Sequence, residues 1–207
     1  MVHYDGLSIQ RRHWLQLGLV SALAASFAKG SSRSVINFTT EIDANTLANG
    51  RLIFRGTRSR EGRVVSWFDE QSEFTHVGIL INQLDAKDHW NVIHATPDHA
   101  KVVQERLEDF LKIPSLFSAA VFQWNLPSPI SESDISQQAT QWIGTPFDGG
   151  FDFYNQDLYC TELVWKAAQS LNWVDEPKLT TLKTPFGAKR VLMIGDLLKQ
   201  LPLIRLS

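Results

Sequence analysis

Cysteine is nearly absent from this sequence, since Cys160 is the only one in 207 residues. A single cysteine excludes an internal disulfide, so the fold must be stabilised by its hydrophobic core. The charges nearly balance, with a formal net charge of −2, and nothing in them indicates a nucleic-acid partner. No internal repeat or low-complexity tract occurs. The length and a hydrophobic content of 43% are those of one globular domain.

The N-terminal apolar segment is too short to be a typical membrane span. It comprises the 16 residues between Arg12 and Lys29, fewer than the roughly 20 that a spanning helix needs. The pair Arg11-Arg12 precedes it and small residues end it at 24–28, which is the pattern of a bacterial export signal and loosely of a twin-arginine signal. We predict an export signal over residues 1–28 and a periplasmic or cell-envelope location. The alternatives are an uncleaved anchor or a buried N-terminal helix.

The rest of the chain predicts a lead-in followed by an α+β domain. Residues 29–49 are rich in Ser, Thr and Asn and form a linker or lead-in, and the domain covers residues 50–207. Ser131 and Gly144 bound a predicted capped helix, and a short helix is predicted near the C-terminus. Strand patterns occur at 52–54, 74–81, 90–95, 101–105 and 119–124, which predicts an antiparallel meander.

A run of arginines follows the first predicted strand. Gly, Ser and Thr separate its members, which is the composition of a long polar loop. The run could hold an anionic substrate group, although a solvated loop is the more common role of such a charge run. Its members are Arg55, Arg58, Arg60 and Arg63.

Cys160 begins a segment with the pattern of an amphipathic helix. Leu163, Val164 and Ala167 share a side with the thiol, while Glu162, Lys166 and Gln169 share the opposite one, so the thiol is expected to face inward. The unpaired N–H groups at a helix start favour a thiolate, which predicts a lowered pKa and a nucleophilic cysteine.

The histidines that follow the export signal lie in one short segment. They are His76, His89, His94 and His99. Side chains alternate along a strand, so His76 shares a face with Leu80, and His94 shares one with Trp90. If Leu80 pairs with Trp90 in a hairpin, His76 and His94 become cross-strand neighbours, and Gly78 beside them would let another backbone approach.

These residues have the chemistry that nucleophilic acyl transfer needs. His76 would take the proton from Cys160, and His94 would orient His76, with no metal or cofactor required. Each residue also has a simpler interpretation: a buried cysteine, a core histidine, or a zinc site formed by the histidines and the thiol. The geometric convergence favours a cysteine hydrolase.

The motifs resemble the circularly permuted branch of the NlpC-type papain-like hydrolases, the YiiX/YebB-like enzymes related to lecithin retinol acyltransferase. The resemblance runs from about Asn49 to Leu171. Its motifs are Thr75-His76-Val77-Gly78-Ile79, Val92-Ile93-His94-Ala95, Gly144-Thr145-Pro146-Phe147 and Cys160-Thr161-Glu162-Leu163-Val164.

The resemblance implies a permuted papain-like α+β fold, with an antiparallel sheet or half-barrel packed on the helix that carries the nucleophile. It implies a catalytic set of Cys160, His76 and His94. The expected substrate is an amide or peptide bond, as in cell-wall peptide, or alternatively a lipid amide, with a possible membrane surface. A lipid acyl hydrolase, an acyltransferase and a non-catalytic binding module of the same fold remain open.

Overall fold

The computed structural model describes residues 42–58, 69, 72–82, 89–184 and 187–207. The predicted export signal, most of the lead-in, Arg60 and Arg63 lie outside the described residues. The strands are β1 (Leu52–Thr57), β2 (His76–Asn82), β3 (Trp90–Thr96), β4 (Lys101–Arg106), β5 (Leu116–Trp124), β6 (Thr180–Thr184), β7 (Gly187–Val191) and β8 (Leu203–Arg205). The α-helices are α1 (Leu107–Leu111), α2 (Glu132–Thr140), α3 (Cys160–Gln169) and α4 (Ile194–Gln200).

One antiparallel sheet organises the domain, in the order β4-β3-β2-β1-β5-β8. The first four strands form the predicted meander. The fifth does not continue it, because β5 pairs with β1 and not with β4. The segment Ala119–Phe122 is buried because a hydrophobic cluster covers each face of β5, and β8 pairs with its last residues, Phe122–Trp124. β6 and β7 form a separate two-stranded sheet.

The alternation of side chains along the strands creates two hydrophobic clusters. The larger one lies between one sheet face and the helices α2, α3 and α4, and includes Val77, Ile79 and Leu163. The smaller one lies on the other face, where α1 contributes Leu107 and Phe110. The sheet with helices on its faces confirms the predicted α+β class.

Helix α2 begins where the sequence places it. The backbone N–H of Ser131 donates to Oδ2 of Asp134 at 2.8 Å, which satisfies a free N–H at the helix start. The helix ends at Thr140, slightly before the predicted stop, and the chain then turns to Gly144. The φ of Gly144 is +96°, a left-handed conformation that glycine adopts without a steric penalty.

Helix α3 is more deeply buried than its amphipathic pattern predicts. Glu162, assigned to the polar side, is fully buried. Its Oε1 lies 2.7 Å from Nζ of Lys166, one turn later on the helix, although the contact lacks good hydrogen-bond alignment. Burial raises the pKa of Glu162 from 4.5 to about 7, despite the opposing effect of Lys166. The helix therefore carries a costly buried carboxyl group in its first turn.

Replacement of Glu162 by glutamine should remove a pH dependence of stability. The folded-state pKa is raised, so the stabilising effect of the protonated carboxyl is complete below pH 4.5 and is lost as the pH rises through about 7. Relative to Glu162→Gln, the wild-type free energy of unfolding should fall by up to about 3 kcal/mol over this range. Urea denaturation at several pH values measures it. The exposed Glu108→Gln is the control, and an unchanged pH slope in Glu162→Gln would contradict the prediction.

Candidate active site

Cys160 is the first residue of α3, and hydrogen bonds on both sides hold this helix start in place. The hydroxyl of Tyr159 accepts from the backbone N–H of Leu192 at 2.9 Å, and the hydroxyl of Thr161 donates to the Leu192 carbonyl at 2.6 Å. Leu158 N–H donates to the carbonyl of Pro146 at 3.0 Å. The segment before the helix and the first turn are thus fixed, so the thiol has a defined position.

The Gly144-Thr145-Pro146-Phe147 motif joins this helix start to the edge of the sheet. Val102 N–H donates to Thr145 O at 2.8 Å, and Phe147 N–H donates to Ala100 O at 2.9 Å. On its other side the motif bonds to the segment before Cys160 through Leu158. The motif therefore sets the position of the nucleophile relative to β4.

The Cys160 side chain is partly buried. The backbone N–H groups of Val77, Cys160 and Thr161 lie near the sulfur and favour the thiolate. Burial outweighs them and raises the pKa of Cys160 to about 11. The lowered pKa predicted from the helix start is therefore wrong for this structure, because the sequence shows the donors but not the desolvation. At neutral pH the thiol is protonated and needs a base.

His76 and His94 meet on one face of the sheet. Nε2 of His76 lies 2.7 Å from Nδ1 of His94. The predicted pairing of Leu80 with Trp90 is wrong, because Leu80 pairs with Val92. A shift by two residues keeps every side chain on its face, so the histidines become diagonal neighbours whose rings still reach each other.

Gly78 makes room for this pair. A Cβ atom at this position would lie 2.3 Å from Cγ1 of Val92 and 3.2 Å from Cβ of His94. The sequence predicted that a backbone would approach here, and the carbonyl oxygen of Ile93 lies 3.2 Å from the same point, together with these side-chain atoms of β3. The glycine allows β3 to bring His94 close to His76.

Glu105 extends the pair to a third residue that the sequence analysis did not single out. Its Oε1 lies 3.0 Å from Nε2 of His94, although without the alignment of a linear hydrogen bond. His94 is only 1% exposed, so both of its ring nitrogens face protein groups. Strand alternation contained the signal, because Glu105 pairs with Val92 and so lies on the face of His94.

The contacts determine the tautomers of both rings. A carboxylate only accepts, so the Nε2 of His94 that faces Glu105 carries the proton, and Nδ1 of His94 is an acceptor. Nε2–H of His76 then donates to it, which leaves the lone pair of His76 on Nδ1. Burial, the charge of Arg55 and His94 lower the pKa of His76 well below 6.5, so His76 is a neutral base at neutral pH.

Cys160 lies near the first residues of β2. The N–H that meets the thiol belongs to Val77, the residue after His76. Among the described residues, a hydrogen bond between the thiol and the His76 ring is not formed. Catalytic hydrogen bonds are often long before substrate binds and shorten in the complex.

The other predicted residues lie away from this cluster or are otherwise engaged. His89 is exposed and lies 3.4 Å from Nη2 of Arg106. His99 is 53% exposed, and its Nε2 is 4.0 Å from Oε2 of Glu105. Tyr159, the residue before Cys160, has its hydroxyl bonded to the backbone N–H of Leu192. Within the described ranges, no group of three or more His, Cys, Asp or Glu side chains is arranged to hold a metal ion.

The fold and this cluster define the class of protein. A cysteine at a helix start, packed on an antiparallel sheet that carries a preceding histidine, is the arrangement of a permuted papain-like cysteine hydrolase. Residues 46–188 match the family described as permuted papain-like amidase enzyme, YaeF/YiiX, C92 family. The chain belongs to this family, and with it to the amidase or peptidase type of cysteine hydrolase.

A solved structure supports the fold. A crystal structure described as metalloprotein YiiX from Escherichia coli O157:H7 has a TM-score of 0.59 and 18% sequence identity to this chain. The match covers 77% of this chain and 96% of that one. No curated protein matches the sequence. In the described part of the chain, no helix has the length and apolarity to cross a membrane.

Proposed function

We propose that this protein is an exported cysteine hydrolase that cleaves an amide or peptide bond, with cell-wall peptide as the leading substrate. Cys160 is the nucleophile, His76 the base and His94 the group that orients it. The observation that carries the proposal is the 2.7 Å contact between His76 and His94, with Val77 N–H at the thiol of Cys160. The chain of donors and acceptors then leaves Nδ1 of His76 as the nitrogen with a lone pair, which is the atom that would accept the thiol proton once substrate is bound.

The reaction would proceed through a thioester. Nδ1 of His76 takes the thiol proton while the sulfur attacks the carbonyl carbon, and backbone N–H at the helix start, including that of Cys160, stabilises the oxyanion. The intermediate expels the amine, which takes the proton from His76. Water then attacks the thioester with His76 as base, and release of the acid restores the thiol.

Export is the second part of the proposal. The basic pair, apolar segment and small residues in 1–28 support it, and the twin-arginine route fits the Arg11-Arg12 pair. Periplasmic cell-wall peptide is the substrate that export would make accessible. N-terminal sequencing should find a mature protein that begins within a few residues of Lys29; an intact Met1 or Val2 on a cytoplasmic protein would remove this part.

Two alternatives remain within the family fold. In an acyltransferase or lipid acyl hydrolase the acyl group comes from a lipid, and histidine at position 94 resembles the acyltransferase branch. In a binding module the fold is kept without turnover, and the absence of a bond between the thiol and His76 favours that alternative.

Mass spectrometry of the intact protein separates these activities. Because Cys160 is the only cysteine, any thioester adduct, recognised by its cleavage with neutral hydroxylamine, reports on it alone. Incubation with peptide amides should give a transient adduct that water removes, and Cys160→Ser should form no thioester. Transfer of the adduct to an added amine or alcohol would indicate an acyltransferase, and an adduct only with acyl lipids would indicate a lipid substrate. No adduct, together with thiol labelling at the rate of a free peptide cysteine, would contradict the proposal in favour of a binding module.

A further inference from the structure

Arg55 is buried in the sheet beside the two histidines. The sequence placed it in a solvated loop, but it belongs to β1 and pairs directly with His76 on β2. Its side chain is only 7% exposed. The loop prediction for Arg55 is therefore wrong: β1 runs through Thr57, and its whole length is buried.

The guanidinium of Arg55 is only partly satisfied. Its Nη1 donates to the backbone carbonyl of Phe110, and its Cζ lies 4.2 Å from the centre of the Phe110 ring. Among the described residues this is its only hydrogen bond, and Nε is buried without a partner. In the same part of the chain, no carboxylate lies within 4.0 Å of it, since each ion pair found there involves another cation.

An unpaired buried guanidinium is costly to maintain. Glu105 and Asp98 act on Arg55 only through longer-range charge interactions. A buried charge without a close counter-ion loses its hydration and recovers little of it. Such a group therefore indicates that an anion from outside the chain completes the site.

The edge of the Arg55 guanidinium that carries Nε and Nη2 makes no hydrogen bond among the described residues. Because Nη1 already bonds to the Phe110 carbonyl, the edge formed by Nε and Nη2 is the part of the guanidinium left to bind another group. Its two parallel N–H groups match the two oxygens of a carboxylate. The Phe110 ring that supports the guanidinium also contacts His76 and His94, with ring centres 5.7 and 5.2 Å away. Arg55 and the base thus share one support.

We propose that Arg55 binds a carboxylate of the acyl donor next to the scissile bond, so that the enzyme prefers substrates that carry a negative charge close to the carbonyl. This inference rests on the proposed function, because it uses Cys160 as the nucleophile. The electrostatic influence of Arg55 on Cys160 and on His76 agrees with this position.

Alkylation of Cys160 tests the proposal without a known substrate. Iodoacetate and iodoacetamide react with the thiol in the same way, forming a C–S bond and releasing iodide and the thiol proton, but only iodoacetate carries a carboxylate. The ratio of the two rate constants, divided by the same ratio for N-acetylcysteine amide, which has no carboxylate, should be about ten or more in the wild type at low salt. It should fall as ionic strength rises.

Variants of Arg55 locate the effect. Arg55→Gln should reduce the normalised ratio to about one, and Arg55→Lys should keep part of it, because the charge remains while the paired N–H geometry is lost. Arg58→Gln is the matched control, since Arg58 is exposed and lies over Phe117. Circular dichroism verifies that each variant is folded, and Arg55→Lys provides the measurement if Arg55→Gln does not fold.

The outcomes separate the two proposals. A normalised wild-type ratio near one overturns the carboxylate site. An equal loss of both rates in Arg55→Gln also overturns it, because Arg55 would then act only on ionisation of the thiol. If the ratio depends on Arg55 while His76→Ala leaves both rates unchanged, the carboxylate site stands and the proposed hydrolase mechanism fails.

Discussion

Replacement of Cys160 by serine, or of His76 by alanine, should each reduce turnover by at least about a thousandfold. With its pKa raised to about 11, the thiol is ionised in about one molecule in ten thousand at pH 7, so attack requires a base. The proposed base is His76, whose lowered pKa keeps the imidazole neutral at this pH. A serine hydroxyl at position 160 occupies the same place but is a weaker nucleophile than the thiol, and alanine at position 76 removes the proton acceptor. Steady-state kinetics on the substrate found by adduct formation measures both effects.

The pH dependence of these variants follows from the same two pKa values. The wild-type rate should be flat across neutral pH and fall only well below pH 6.5, where His76 becomes protonated and can no longer accept the thiol proton. The residual rate of His76→Ala should instead rise about tenfold per pH unit towards pH 11, because it depends on spontaneous ionisation of the thiol. A flat profile in His76→Ala would show that His76 is not the base.

The remaining histidines serve as matched controls. His89 and His99 are exposed, so His89→Ala and His99→Ala should keep turnover within about twofold of the wild type. If either variant loses as much activity as His76→Ala, and chelators inactivate the protein, the site is a zinc site.

The second large effect is expected from loss of His94. His94→Ala should lower kcat by about a hundredfold or more, with some activity left, because His76 keeps its place on β2 but loses its acceptor at 2.7 Å. Without that acceptor, the proton of His76 is no longer held on Nε2, so Nδ1 is not always the nitrogen with the lone pair. KM should change little, since His94 is buried and has little surface for contact with substrate.

Glu105 should act through His94. Glu105→Gln can donate a proton to Nε2 of His94, which reverses both tautomers and places a proton on Nδ1 of His76, so we expect a loss in kcat of about ten- to a hundredfold. The double variant His94→Ala/Glu105→Gln should be about as active as His94→Ala alone. Glu108→Gln, on the exposed surface, is the control. Additive losses in the double variant would show that Glu105 acts independently of His94.

Local patterns were sufficient to predict the elements that carry the site. The apolar runs Phe74–Ile81 and Trp90–Ala95 predicted two buried strands. The alternation of side chains along a strand placed His76 and His94 on one face, and a shift of two residues in register did not alter that face. The cap at Ser131 and the helix that begins at Cys160 were predicted for the same reason, because capping and helical periodicity are properties of neighbouring residues.

Contacts between distant segments decided the rest. The position of β5 beside β1, the burial of Arg55 and Glu162, and the contact between Glu105 and His94 depend on which strands and helices pack together. The sign of the Cys160 pKa shift has the same origin: the sequence contains the helix start that favours the thiolate, but only the tertiary structure determines the desolvation that opposes it. The sequence by itself predicted an α+β fold of the cysteine hydrolase type, with Cys160, His76 and His94 as the candidate catalytic residues. The tautomers, the state of the thiol and the unpaired Arg55 follow from the three-dimensional enclosure of those groups, because burial and hydrogen-bond geometry are not local properties of the chain.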